Sequence, residues 1–435
     1  MIAVSSKIGL AILLGVAALN AVAQDLPGGP NGYSLERVVL FMRHGVRPPT
    51  KSAAELAPLS DSAWPDDQSW GAAPGELTPH GAQAIRKLGS DLRQYYIQAG
   101  LLTPSAADSD QYVIWADAAD QRTRETGKTL AAALANPSTP SNTADFTKAG
   151  GSVAWSTEVL DPLFDALSAH VCRLDPEAAQ HAVWVQGALE NRETALALTK
   201  MQNVMAPDAC NAGSGSCLAG PSQIKATDHD VKITGPMATA STASEVFLLE
   251  YENGLPMAQV GFGRADAVAI AQLLSIHEHT SDLTRRTPYI AVRRAYALVQ
   301  FILAALSNDN VSDKVNTTAP AIRAQQRMIG LVGHDTNLSN LAGVFGLDWQ
   351  LPEQPDSTAP GTTLAFERWK NNKSGKVILQ MRLFYQSMEQ VRALSDTPVR
   401  QMAVRPAACQ QVADCELETV LTRIKSILPK DCAYP

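Results

Sequence analysis

A short motif near the beginning of the chain combines residue types that suit phosphoryl transfer. The segment 43–50, Arg-His-Gly-Val-Arg-Pro-Pro-Thr, places one histidine between two arginines. An imidazole can attack phosphorus through one ring nitrogen while the other holds its proton against a backbone acceptor, and Gly45 allows that close approach. Guanidinium forks bind phosphate oxygens in pairs. The motif therefore predicts His44 as a covalent nucleophile, with Arg43 and Arg47 neutralising the transferred group.

Isolated histidines are more often core or surface residues, and this is our interpretation of His170, His181 and His229. His44 differs because it follows a strand that looks buried and stands beside two arginines. Burying such charges without an anionic ligand would be costly. The surroundings of His44 thus favour a functional role.

Three segments share one order of strand, polar loop and helix, and these are the elements that must position the chemistry. The apolar runs 38–42, 112–116 and 328–332 are typical of strands buried on both faces of a parallel sheet. Parallel α/β sheets gather the loops that follow such strands at one edge. We therefore expect the segments 43–47, 117–125 and 333–337 to converge on one pocket.

The remaining chain is mostly helical in pattern. Thr78 followed by Pro79 predicts a helix that runs to about Tyr96. Further helices are expected around 122–135, 190–201, 238–252, 265–275 and 290–306. The alternating stretches 363–369 and 377–385 flank a turn and predict an antiparallel hairpin.

Composition and charge limit the classes of partner. The chain has 435 residues, of which 45% are hydrophobic and 18% charged, with a formal net charge of −7. A net negative surface without runs of lysine and arginine argues against nucleic acid as a partner. An anionic substrate must therefore be bound by a local basic pocket.

The first residues indicate export. Lys7, an apolar run at 8–16 and Ala21-Val22-Ala23 form the three parts of a cleavable signal peptide, with cleavage expected after Ala23. The alternative is an uncleaved N-terminal anchor, but the apolar run is short for a span. We predict a periplasmic or secreted protein of about 410 residues that has no membrane contact after cleavage.

Six cysteines in an exported chain indicate three disulfides rather than metal ligands. Locality suggests the pairs Cys210–Cys217 and Cys409–Cys415, which each bracket a short polar loop. Cys172 would then reach Cys432 near the C-terminus.

The sequence resembles the histidine acid phosphatases, and within them the bacterial periplasmic phytases and glucose-1-phosphatases. The resemblance extends from Leu35 to the last cysteine. It depends on the motif 43–50 and on Leu-Thr-Pro-His-Gly at 77–81, Gln-Arg-Thr-Arg at 121–124, Gly-His-Asp-Thr-Asn at 333–337 and Phe-Glu-Arg-Trp at 366–369.

The resemblance implies an α/β fold, with a mainly parallel central sheet that is flanked by helices and carries an inserted, mostly helical cap domain. We expect the α/β core over about 34–50, 110–165 and 325–435. The cap is expected over about 51–109 and 170–320.

Site roles follow from the matching motifs. His44 would be the nucleophile, Asp335 the proton donor, and the phosphate clamp would consist of Arg43, Arg47, Arg122 and His334. Chemistry agrees on Asp335, because an alkoxide leaving group needs a proton and a carboxylic acid can supply it at acidic pH. Asp335 could equally cap the helix that follows, and the two roles are compatible. The resemblance also implies tentative substrate contacts at Thr50, Lys51, Glu245 and Arg294.

The expected function is therefore an acid phosphatase without a cofactor, most consistent with phytate (myo-inositol hexakisphosphate) as substrate and with a monomer. Glucose-1-phosphatase or broad acid phosphatase activity is the alternative, and a non-catalytic phosphate-ester binding protein is a remote one. His277-Glu278-His279 suggests a metalloenzyme, but its spacing is wrong for His-Glu-x-x-His. A phosphoglycerate mutase-like enzyme would share Arg-His-Gly but not export or the following Arg-Pro-Pro-Thr.

Overall fold

A computed structural model describes residues 29–104, 111–135, 153–307, 322–323 and 325–432. The expected signal peptide at 1–23 lies outside the described residues.

The strands form one large and one small sheet. They are β1 (Tyr33–Arg43), β2 (Tyr112–Ala116), β3 (Val153–Trp155), β4 (Gln223–Ala226), β5 (Val231–Thr234), β6 (Met328–Gly333), β7 (Thr363–Asn371), β8 (Val377–Tyr385) and β9 (Arg400–Val404). The large sheet has the order β3-β2-β6-β1-β7-β8-β9, and β4 pairs with β5. The pairs β2–β3, β2–β6 and β1–β6 are parallel, whereas β7, β8 and β9 add antiparallel strands beside β1. The predicted α/β fold is thus confirmed, with a central sheet that is parallel in its middle and antiparallel on the side of β7, β8 and β9.

The helices cover both faces of the sheet and extend beyond its edge. They are α1 (Ala53–Leu56), α2 (Asp67–Trp70), α3 (Pro79–Gln98), α4 (Gln121–Ala135), α5 (Pro176–Gln186), α6 (Arg192–Met205), α7 (Pro236–Glu252), α8 (Ala267–Thr284), α9 (Pro288–Arg294), α10 (Tyr296–Ser307), α11 (Asp335–Phe345), α12 (Met388–Ala393) and α13 (Leu417–Ile427).

The register of the central strands brings their ends to one line. Arg43 of β1 stands opposite Gly333 of β6, and Ala116 of β2 stands opposite Val332. Just beyond the strands, the amide of His44 donates to the Gly333 carbonyl over 2.9 Å, and the amide of Asp117 donates to the Val332 carbonyl over 2.9 Å. The expected convergence of three polar segments is therefore confirmed.

Three buried clusters divide the interior. One joins β1 and β2 to α3 and α4, and a second lies on the other sheet face under α10, α11 and α13. The third, between α5, α6, α7 and α8, is the core of the helical region. Because Ile85, Leu88 and Leu92 of α3 share a cluster with β1, this helix covers the sheet. This packing differs from the expected placement of residues 51–109 in the cap, and the domain limits stay predictions.

The helix expected at 290–306 is in fact two helices. α9 and α10 meet at Ala295 and are bent by 71° relative to each other. Because of this bend, α10 lies in the core below the sheet, where Leu298, Phe301 and Ile302 are fully buried. Arg294 is the last residue of α9. Within the described residues, no single helix has the length and apolar composition of a membrane span, although α9 and α10 together meet both criteria.

The three disulfides are those that the spacing predicted: Cys172–Cys432, Cys210–Cys217 and Cys409–Cys415. The first joins residues 260 positions apart in sequence. It connects the helical region to the end of the chain.

Candidate active site

His44 lies buried at the carboxyl end of β1. Its Nδ1 is 2.8 Å from the carbonyl oxygen of Gly45, which is a backbone acceptor of the expected kind. The Gly45 amide in turn donates to Oγ1 of Thr126 over 3.1 Å. A side chain at Gly45 would meet Leu77 and Ile85 at under 3 Å, so only glycine fits without rearrangement. The ring is therefore held with Nδ1 as donor, which leaves the lone pair of Nε2 for attack on phosphorus.

The surroundings keep His44 uncharged. Burial and the positive charges of Arg122, Arg43, His334 and Arg47 lower the pKa of His44 well below its usual range. The lowered pKa keeps this imidazole neutral to more acidic pH than a free histidine. The predicted nucleophile is therefore more available in acid, where a carboxylic acid can act as proton donor.

Arg43 is a fixed cation beneath the site. Its side chain is fully buried and donates to Asp356 over 2.9 Å and to the Thr358 carbonyl over 2.7 Å. It also forms an ion pair with Glu245. Burial opposes the charge of Arg43, but Asp335, Glu245 and Asp356 outweigh it and raise the pKa of the guanidinium. This arginine therefore stays charged and immobile.

Glu245, on α7, joins the two arginines of the motif. Arg47 approaches its two carboxylate oxygens at 3.3 and 3.4 Å, and Arg43 binds the same group. Burial would raise the pKa of Glu245, but Arg47 and Arg43 lower it to about 2. Glu245 thus aligns both guanidinium groups, and its tentative contact with substrate stays a prediction.

Arg122 and His334 are each held by an aspartate. Arg122, in the first turn of α4, pairs with Asp120 over 2.8 Å and donates to the Gly75 carbonyl. Nε2 of His334, which stands at the start of α11, lies 3.0 Å from Asp117. Both aspartates were overlooked as site residues in the sequence, although their position directly after β2 was a usable signal.

Asp335 is the first residue of α11 and lies mostly buried, with 15% of its side chain exposed. It forms an ion pair with Arg285, which directly follows α8. Burial would raise the pKa of Asp335, but Arg285, Arg43 and His277 hold it well below its usual range. Arg285 belongs to no motif, and only the packing of α8 against α11 reveals its position.

Two cavities adjoin the site residues described above. One has a volume of about 330 Å³ and is lined by Lys232, Ser241, Thr284 and Arg285; the other has a volume of about 210 Å³ and is lined by Asp117 and His334. Arg294 and Thr336 line both. The cleft therefore continues beyond the clamp into polar space that carries several cations.

The tentative substrate residues differ in position. Arg294 reaches the cleft and pairs with Asp230 over 2.9 Å and with Asp165 over 3.4 Å. Thr50 and Lys51 are exposed on the segment between β1 and α1. Their contact with substrate stays a prediction.

The His277-Glu278-His279 segment of α8 has separate local partners. His277 lies against Ser241 at 3.3 Å, Glu278 accepts from the Ser357 amide, and His279 lies 2.9 Å from the Ala188 carbonyl. Throughout the described ranges, no three acidic, histidine or cysteine side chains are grouped closely enough to hold a metal ion.

Comparison with known proteins agrees with this geometry. Residues 34–385 match the model of the histidine phosphatase superfamily (branch 2). The chain is 33% identical to the phytase AppA of Escherichia coli over 92% of both chains, and 26% identical to a glucose-1-phosphatase of Salmonella typhimurium over 88% of both. The structure of the Hafnia alvei phytase with tartrate superposes with a TM-score of 0.82 at 31% identity, covering 93% of this chain and 100% of that one. This chain belongs to the histidine phosphatase superfamily, branch 2, and is a hydrolase of phosphoric monoesters.

Proposed function

We propose that this enzyme is an acid phosphatase whose preferred substrate is phytate or a related ester with several phosphates. The observation that carries the proposal is the cleft beside the clamp, where Lys232, Arg285 and Arg294 line space next to Asp335. A monophosphate needs only the clamp. A substrate with further phosphates would use these additional cations.

The arrangement supports a reaction in two steps. Arg43, Arg47, Arg122 and His334 would hold the oxygens of one phosphate while Nε2 of His44 attacks phosphorus. As the nitrogen–phosphorus bond forms, the phosphorus–oxygen ester bond breaks, and Asp335 gives its proton to the departing alcohol. The products are the alcohol and a phosphohistidine at His44.

Water completes the cycle. Asp335, now a carboxylate, would accept a proton from a water molecule that attacks the phosphohistidine. The nitrogen–phosphorus bond then breaks, inorganic phosphate leaves, and His44 returns to its neutral state. The clamp supplies the positive charge that developing negative charge on the phosphoryl oxygens requires.

The relatives support the substrate class. The Hafnia alvei phytase is known in complex with myo-inositol hexakis sulphate, and that structure superposes on this chain with a TM-score of 0.81. Glucose-1-phosphatase is the second candidate function, because two curated relatives at 25% and 26% identity carry that name. The hydroxyls of Ser241, Thr242, Thr280 and Thr284 in the cleft would suit a sugar.

We further propose that the protein acts as an exported monomer, in the periplasm or outside the cell. Three disulfides support an oxidising compartment, since such bonds persist there and are rare in the cytosol.

Turnover of phytate, glucose 1-phosphate and p-nitrophenyl phosphate at acidic pH tests the substrate. We expect the highest kcat/KM for phytate; a higher value for glucose 1-phosphate would replace phytase by the second candidate. His44→Ala should abolish all three activities and the alkali-stable, acid-labile labelling of the protein by radioactive phosphate that a rapid quench traps. His181→Ala, at an exposed position on α5, is the matched control and should keep them.

A further inference from the structure

Arg285 connects the proton donor to the cavity beside it. Its guanidinium pairs with Asp335, and the same side chain lines the cavity of about 330 Å³ together with Arg294 and Lys232. The backbone is anchored on both sides: the Arg285 amide donates to Ser281 of α8, and its carbonyl accepts from Asn340 of α11 over 2.8 Å. The side chain therefore pivots from a fixed point that lies between donor and cavity.

Arg43 and Arg285 both act on Asp335, but they differ in freedom. Arg43 is fully buried and its two terminal nitrogens bind Asp356, Thr358 and Glu245. The Arg285 side chain is 28% exposed, and its ion-pair partner is Asp335. An anion in the cavity could therefore compete for Arg285 without dismantling the clamp.

The charged groups that face Asp335 come from four elements. The positive or protonatable groups are His277 of α8, Arg285 directly after α8, Arg43 at the end of β1 and Arg122 of α4. The negative group is Glu245 of α7. Of these, Arg285 is the one that both contacts Asp335 directly and lines the cavity.

We propose that Arg285 is a positioning residue that keeps Asp335 ionised until a second anionic group of the substrate enters the cavity and becomes the partner of Arg285. The inference rests on the proposed function, because it requires a substrate with more than one phosphate. Asp335, released from its ion pair and close to the bound phosphates, then takes up a proton from solvent. That proton passes to the ester oxygen as the phosphorus–oxygen bond breaks and the bond to Nε2 of His44 forms.

The charges around Asp335 shift its pKa in the direction that the proposal requires. Arg285 is the leading charge that holds the pKa of Asp335 low against the effect of burial. A donor must be protonated to act, so activity falls as pH rises through its pKa. Withdrawal of Arg285 raises that pKa and moves the fall to higher pH. An arginine beside an aspartate typically changes its pKa by about 1–3 units.

The test compares two substrates with one sugar in common, glucose 1-phosphate and glucose 1,6-bisphosphate. The kcat–pH profile of each reports the ionisation of the enzyme–substrate complex. In the wild-type enzyme, we expect the high-pH limb for the bisphosphate to lie about one pH unit above that for the monophosphate. In Arg285→Gln and Arg285→Met, the monophosphate limb should rise by a similar amount and the gap should close.

Two controls separate charge from structure. Arg285→Lys keeps a cation and should keep the gap. Arg286→Gln changes the next arginine, which binds Asp282 and the Leu347 carbonyl, and should leave both limbs in place. At one pH unit above the wild-type limb, Arg285→Gln should retain about fivefold more of its maximal kcat on glucose 1-phosphate than the wild type does.

Three results would overturn the proposal: coincident limbs in the wild type, an unmoved monophosphate limb in both neutral variants, or a gap that persists in them. Comparing the two substrates on the wild-type enzyme tests the proposal even if both neutral variants fail to fold. Phytate turnover is not a readout here, so a failure of the proposed phytase activity would be seen separately.

Discussion

Replacing Asp335 with Asn separates proton donation from every other role of this side chain. The variant keeps an oxygen that can accept from Arg285 and a residue of equal size at the first position of α11. It removes the transferable proton and one negative charge from a pocket that contains Arg43, Arg122 and Arg285. Phosphate binding should therefore be unchanged or stronger, and KM should not rise.

The expected loss is in kcat. General acid catalysis contributes about a hundredfold or more, so hydrolysis of phytate or glucose 1-phosphate should fall at least that far, which corresponds to about 2.7 kcal/mol of activation free energy. An aryl phosphate is the internal control, because nitrophenolate leaves without a proton. Its turnover should fall far less, and the pH dependence of kcat for the alkyl esters should flatten where Asp335 titrates.

Initial rates of wild type and Asp335→Asn on p-nitrophenyl phosphate and glucose 1-phosphate, from about pH 3 to 7, provide the measurement. Equal losses on both substrates would mean that Asp335 organises the site rather than donating a proton. The role of His44 as nucleophile would be unaffected by that result.

Two further predictions concern stability. Burial raises the pKa of Glu250 to about 8, so its stabilising contribution is fully present below about pH 4.5 and is lost as pH rises toward 8. Glu250→Gln should therefore reduce, by a few kcal/mol at most, the decline of the unfolding free energy between pH 5 and 8. Urea unfolding measures this decline, and an unchanged decline in the variant would show that Glu250 does not cause it. The Cys172–Cys432 bridge spans 260 positions and the Cys210–Cys217 bridge spans 7. The chain-entropy model gives them stabilising contributions of roughly 5–6 and roughly 2 kcal/mol, respectively. Replacing both cysteines of the long bridge with serine should therefore lower Tm more than the same change in the short bridge, and the reverse order would refute the model.

Part of the active site could be predicted from sequence because its signals are local. The predicted nucleophile and its two arginines stand within five positions, 43–47, and each apolar run that leads into a polar segment is itself a strand. The carboxyl ends of parallel strands must meet, so the convergence of His44 with His334 and Asp335 followed from pattern alone. The disulfides also followed, because two short spacings left one remaining pair.

Tertiary structure decided what depends on residues distant in sequence. Glu245 could be named but not placed between Arg43 and Arg47, and nothing in the sequence around Arg285 indicates that it contacts Asp335 from 50 positions away. The assignment of α3 to the sheet and the 71° bend at Ala295 likewise depend on which apolar surfaces meet. Local periodicity fixes the apolar face of a helix, whereas its partner is selected by packing of the whole chain. The motif thus determined the chemistry of this protein, and the fold determined the charges that set the protonation of Asp335.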